Sequence, residues 1–114
     1  MADEKSCTTQ VLLFNPGLLD WIRMGVKTQT IRAGVKSITP GLVDLQTVGR
    51  EDDHFTGFVH TIEVIKFADI STDDARNEGY QTSEQLKHVL MDCYKKIFQP
   101  YELMTRIQFR KGNK

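Results

Sequence analysis

One short stretch of the chain crowds an amine, two hydroxyls and a guanidinium together: GVKTQTIRAG, residues 25–34. Alternation along a strand over 28–33 would set Thr28, Thr30 and Arg32 on one face and Gln29 and Ile31 on the other. Lys27 lies just before that strand, where it can fold back over the threonine face. A threonine hydroxyl is a weak nucleophile until a neighbouring base removes its proton during attack. A desolvated lysine can be that base, because burial disfavours the ammonium form and lowers its pKa. A carboxylate completes such a set by orienting the amine or carrying the proton to a leaving group.

Two carboxylates are candidates for that third place. Glu78 falls in the last turn of a short helix, directly before Gly79, where the helix dipole disfavours negative charge and a partner is expected to hold it. Glu63 falls inside a long strand, with Val59, Thr61, Ile65 and Phe67 expected on its face. Spacing does not choose between them. Each feature also has a plainer reading: β-propensity explains threonines near a strand start, and Arg32 alone is usually a solvated charge. Glu78 before a glycine is usually just exposed, at a dipole cost of about 0.3–1 kcal/mol. His60, between Phe58 and Ile62, reads as a packed residue, and Cys93 as core. On residues alone an enzyme is the less economical reading.

The elements that must position these groups follow from pattern. VLLF, residues 11–14, is a short apolar strand, and Asn15 with Pro16 opens a helix carrying Leu18, Leu19, Ile22 and Val26 at helical spacing. TQTIRA is β-branched, and a Pro40-Gly41 turn leads into the strand LVDLQTVG. REDDH, residues 50–54, reads as a hairpin turn into FTGFVHTIEVIKFADI, long enough to need a bend at Gly57. Ser71 caps a short helix stopped by Gly79. Thr82 with Gln85 makes a capping box for a longer helix whose apolar stripe runs through Leu86, Val89, Leu90, Cys93 and Ile97. LMTRIQFR is a last strand. The order β-α-β-β-β-α-α-β, without repeats or linkers, predicts an α+β fold: a mostly antiparallel sheet, closed into a small β-barrel with helices packed outside. Residues 1–10 are expected as an N-terminal tail, 11–110 as the single domain and 111–114 as a C-terminal tail.

Composition narrows the function classes. Fifteen Lys plus Arg balance fifteen Asp plus Glu, so there is no global positive field for non-specific phosphate binding, and any nucleic-acid contact must be local. No apolar run approaches the roughly 20 residues of a membrane span, and the N-terminus lacks a signal-type stretch, which predicts a cytoplasmic protein. Cys7 and Cys93, and the three histidines, lack metal-ligand spacing, so no metal is expected.

The ordered set GVKTQTIR, PGLVDLQTVGREDDHF, HTIEV, EGYQTSEQLKHVL and IQF resembles the ASCH domain of the PUA-like superfamily over nearly all of residues 11–109. Within that group it is most similar to the small bacterial proteins that hydrolyse N4-acetylcytidine to cytidine and acetate. The resemblance implies a PUA-like barrel, with Lys27 as catalytic base, Thr30 as nucleophile and Glu78, rather than Glu63, as proton carrier. Arg32 and Thr28 would position the nucleoside, backbone N–H groups near the turn would stabilise the oxyanion, and no cofactor is implied. The alternative it leaves open is a non-catalytic RNA-binding or regulatory module. There Lys27, Arg32, Arg106, Arg110 and Lys111 would meet phosphates, and Phe14 or Tyr80 would stack on a base. A monomer is expected.

Overall fold

The computed structural model describes residues 10–112. Five strands form one sheet: β1 (Gln10–Phe14), β2 (Gln29–Ala33), β3 (Gly41–Thr47), β4 (Arg50–Lys66) and β5 (Leu103–Lys111). Their order is β1-β3-β4-β5-β2, with β1 parallel to β3 and every other pair antiparallel. The sheet curls into a half-barrel flanked by helices. Its two edges, β1 and β2, approach one another, and a side chain spans the seam: Arg32 Nη2 donates to the Leu13 carbonyl at 2.8 Å. Three helices flank the sheet: α1 (Leu18–Arg23), α2 (Thr72–Asn77) and α3 (Ser83–Tyr94). None of the described helices is long and apolar enough to cross a membrane.

Two apolar clusters share the sheet. One packs Leu19 and Ile22 of α1 against Leu12, Phe14, Val43, Leu45, Val59, Ile107 and Phe109. The other packs Leu86 and Leu90 of α3 against Ile31, Phe67, Ile70, Phe98 and Met104. Strand β5 serves both because it buries residues on both faces: Thr105, Ile107 and Phe109 alternate along one face, which meets the first cluster, while Met104 on the opposite face joins the second. β4 serves both through an irregularity: Val59 pairs with Phe109 but Thr61 with Gln108, so His60 is the extra residue that bends the strand.

That bend corrects the expectation of one at Gly57. Gly57 is needed instead for close packing, since a Cβ there would sit 2.7 Å from Leu45 Cδ1. The hairpin between β3 and β4 is also tighter than expected. Thr47 pairs with Arg50 across Val48-Gly49, and a register shift beside Thr47 absorbs the acidic residues that were read as the turn. Asp53 turns there to accept from Thr47 Oγ1 at 2.6 Å. Helix α1 starts two residues later than expected, with Gly17 at its N-cap, while the Asn15 carbonyl accepts from Leu18 N.

Both capping boxes are formed, Ser71 with Asp74 and Thr82 with Gln85. The apolar stripe of α3 is shorter than expected. Lys95 adopts a left-handed conformation (φ 55°) that ends the helix, Phe98 enters the core to stack on Phe67, and Ile97 is left 77% exposed. Cys93 is exposed rather than core. Gln10 and Lys111, expected in the tails, belong to strands, and the tail readings for 1–9 and 113–114 lie outside the described residues.

Candidate active site

Lys27 and Glu78 meet where two helices end. After α1 the chain closes on itself, the Trp21 carbonyl accepting from both Val26 N and Lys27 N, and this turn aims Lys27 inward. Thr28 N then donates to the carbonyl of Asn77, the last residue of α2, at 2.7 Å, which lashes the entry to β2 beside Glu78. Gly79 completes the arrangement. Its φ of +91° is a left-handed conformation that side chains resist, and a Cβ there would lie 2.7 Å from the Trp21 ring. Trp21 therefore braces both the lysine and the glutamate.

The result is an ion pair of 3.0 Å between Lys27 Nζ and Glu78 Oε1, with both side chains only 5% exposed. Burial pushes the Lys27 amine below its ordinary value, opposed by the Glu78 carboxylate. Burial pushes the Glu78 carboxyl up, opposed by Lys27 and by a hydrogen bond from Gln29. The two groups are thus brought towards sharing one proton, the condition in which one can give and the other take. The partner expected for Glu78 on dipole grounds is Lys27.

Thr30, buried and paired with Ile107 of β5, shares the cleft wall with Lys27, Arg32 and Glu78. Its Oγ1 accepts from Arg32 Nε at 3.0 Å. A cationic donor on that oxygen stabilises the alkoxide and leaves the hydroxyl proton to be taken by another group. The Arg32 guanidinium also lies 4.9 Å from the Phe14 ring centre and Lys27 Nζ 5.8 Å from it, so two cations flank one aromatic ring. The cleft, about 170 Å³, is completed by Asn15, Tyr80 and Cys93. The Asn15 amide faces the Cys93 sulfur at 3.6 Å.

Other expected members stand elsewhere. Thr28 precedes the strand, is exposed, and its Oγ1 donates to the Asn77 carbonyl at 3.4 Å instead of facing the cleft with Thr30. The backbone N–H groups of Gly25, Val26, Lys27, Thr28, Glu78, Gly79 and Tyr80 all donate to protein carbonyls, so the turn offers none of them to an oxyanion. The physical reason is that both helices end by closing their last turns on their own carbonyls. Of the RNA-contact candidates, Arg106 is bound to Asp74 and Glu63, Arg110 lies over Phe58, and Lys111 donates to the Arg23 carbonyl. Glu63 is half exposed and held by Arg106, outside the cleft.

Sequence reasoning missed Gln29, a fully buried hub. Its amide nitrogen donates to Asp74 Oδ1 at 3.1 Å and to Glu78 Oε2 at 3.4 Å, while its oxygen accepts from Asn77 and Gln108. Asp74 in turn holds Arg106, whose Nε is buried without a partner among the described residues. The only sequence signal was Gln29 alternating with the threonines on the opposite face. Among the described residues no group of three or more His, Cys, Asp or Glu is placed to hold a metal ion.

No protein-family model and no curated protein matches this chain. Solved structures do. The crystal structure of an ASCH domain from Lactobacillus crispatus JV V101 superimposes with a TM-score of 0.74 at 12% identity, over 91% of this chain and 79% of that one. Protein EF3133 from Enterococcus faecalis V583, of the DUF984 family, superimposes with a TM-score of 0.71 at 15% identity, over 96% and 79%. At such identities the likeness is one of backbone alone, and it agrees with the curled mixed sheet and the flanking helices described above. The chain has the ASCH-type, PUA-like α+β fold.

Proposed function

We infer that the chain is an amidohydrolase that removes the acyl group from N4-acetylcytidine or a closely related acylated cytosine nucleoside. The observation that carries this reading is the buried Lys27–Glu78 pair set in the same small cleft as a threonine whose oxygen already accepts from a cation.

The chemistry runs in two halves. Thr30 Oγ1 attacks the acyl carbon while its proton passes to the neutral Lys27 amine, and the Arg32 guanidinium meets the charge that develops on oxygen. The carbon–nitrogen bond then breaks as the proton held between Lys27 and Glu78 is delivered to the exocyclic amine, releasing cytidine and leaving an ester on Thr30. Water, deprotonated by the same amine, hydrolyses the ester to acetate and restores the hydroxyl. Lys27 donates to Glu78 and Thr30 accepts from Arg32, and the Lys27–Thr30 contact forms as the acyl group enters the cleft.

Incubation with N4-acetylcytidine, followed by mass, tests the reading. Turnover by the native chain that is lost in Lys27→Ala, Thr30→Ala and Glu78→Ala supports it, whereas persistent turnover in Thr30→Ala removes that residue as nucleophile. An RNA-binding module without chemistry would show binding that weakens steeply with salt and no turnover.

A further inference from the structure

The catalytic cleft is small for what it must hold. Its volume of about 170 Å³ falls below the roughly 300–1,000 Å³ typical of ligand pockets, enough for an acylated base but not for everything attached to it. A second cavity of about 480 Å³ adjoins it, sharing Leu13, Arg32 and Tyr94 as common walls. Both lie along the seam where β1 and β2 run antiparallel without hydrogen-bonding to each other. The cleft occupies the end near Phe14 and Thr30, and the larger cavity the end near Gln10, Lys36 and Ser37. The partition between them is the Arg32 side chain, bridging from Thr30 Oγ1 to the Leu13 carbonyl.

The larger cavity has a definite polarity. Arg32 and Lys36 line it together with Gln10 and Ser37, and no acidic residue does. Lys36 forms no ion pair among the described residues. Its backbone is fixed, because Lys36 N donates to Thr105 Oγ1, which itself donates to the Gly34 carbonyl. An anchored loop therefore brings Lys36, without an ion-pair partner among the described residues, to a cavity that Arg32 also lines. Such a cavity suits an anion.

We propose that this second cavity is a phosphate subsite and that the preferred substrate carries a 5′-phosphate on its ribose, the acylated base in the catalytic cleft and the phosphate by Lys36. The proposal rests on the amidohydrolase reading for the identity of the base. The phosphate could come from a free nucleotide or from the 5′ end of an RNA, and both present the same chemistry to Lys36.

Calorimetric titration with reaction products separates the subsite from the chemistry. The native chain is titrated with cytidine, with cytidine 5′-monophosphate, and with a cytidine dinucleotide bearing or lacking a 5′-phosphate; Lys36→Ala and Lys36→Glu are titrated in parallel, and thermal melts confirm that they fold. The phosphorylated ligand should bind about tenfold or more tightly than its partner lacking phosphate. That advantage should vanish in Lys36→Ala, reverse in Lys36→Glu and shrink with added salt, while cytidine affinity stays unchanged. Preference for the monophosphate alone marks a free nucleotide, and preference extending to the dinucleotide marks an RNA end; either supports the subsite. Equal affinities, a preference that survives both substitutions, or no binding at all overturn it. Turnover of N4-acetylcytidine without phosphate preference would sink the subsite and keep the enzyme. Phosphate-dependent binding without turnover would do the reverse.

Discussion

Replacing Glu78 by glutamine removes the charge that Lys27 faces at 3.0 Å while scarcely changing side-chain volume, and its cost can be worked from the burial of the pair. Both side chains are 5% exposed, so the lysine left behind has no access to water in which to stay charged. Removing one partner of a buried pair typically costs about 3–5 kcal/mol. Against a domain stability of about 5–15 kcal/mol that is a large loss, and it should lower the melting temperature by roughly 10–25 °C. The pH dependence carries more information than the size. Near neutrality the native pair holds one proton in total, and so does the unfolded chain, with a charged lysine and an ionised glutamate; the pair therefore adds no slope. In Glu78→Gln the unfolded lysine is protonated while the folded amine, pushed down by burial, releases its proton. Stability must then rise with pH, by at most about 1.4 kcal/mol per unit, up to the ordinary lysine value of 10.5. Lys27→Met leaves the opposite case, a folded carboxyl pushed up by burial that keeps its proton while the unfolded one loses it. Its stability must fall as pH rises from the ordinary glutamate value of 4.5. The double variant Lys27→Met/Glu78→Gln should recover most of the loss and both slopes should disappear. Urea unfolding at a series of pH values between 5 and 10 reads all four proteins. Parallel slopes in the two single variants, or a double variant as unstable as the sum of both, would refute the buried pair.

The turnover rate should follow a bell in pH whose limbs belong to the pair jointly, and the small residual turnover of Glu78→Gln should keep only one rising limb, moved to lower pH, because the carboxylate that opposes the fall in the Lys27 pKa is gone. Gly79→Ala should lose about 1–3 kcal/mol by calorimetry, from the positive φ together with the Trp21 contact, and a Trp21→Leu background should lessen the loss. Alkylation of Cys93, exposed at the cleft rim, should proceed in the folded protein and block turnover, whereas Cys93→Ser should stay active and resist the reagent. Arg32→Lys should lower the turnover rate by about 10²–10³, since a lysine cannot hold Thr30 and Leu13 together, and an unchanged rate would remove Arg32 from transition-state stabilisation.

Much of the frame was legible because local rules and tertiary needs agreed. The caps at Ser71 and Thr82, the apolar stripe at Leu86 and Leu90 and the last strand at Leu103–Lys111 each have a cause within a few residues, and each stands in the structure. The misreadings occur where distant contacts decide. Nothing near Cys93 or Ile97 says that Lys95 will turn left-handed and hand the core position to Phe98. His60 rather than Gly57 bends β4, because the bend is set by register against β5 and Gly57 is reserved for Leu45. At the site, the residue types at 27, 30 and 78 were legible, but the choice of Glu78 over Glu63 was not. It depends on α2 ending beside the start of β2, a contact between residues 51 apart. Gln29 was invisible for the same reason: its four partners come from Asp74, Asn77, Glu78 and Gln108.

Strand β2 has a single hydrogen-bonded neighbour, and among the described strands that neighbour is the last in sequence. Thr30 is pinned across from Ile107, so its hydroxyl waits for a segment made more than seventy residues after it. During synthesis on a ribosome the hydroxyl therefore has no fixed address until β5 has been made, and a nascent chain stopped before Leu103 should lack the strand that holds Thr30 in place. Truncation just ahead of β5 would thus leave the cleft unbuilt, not merely loosened.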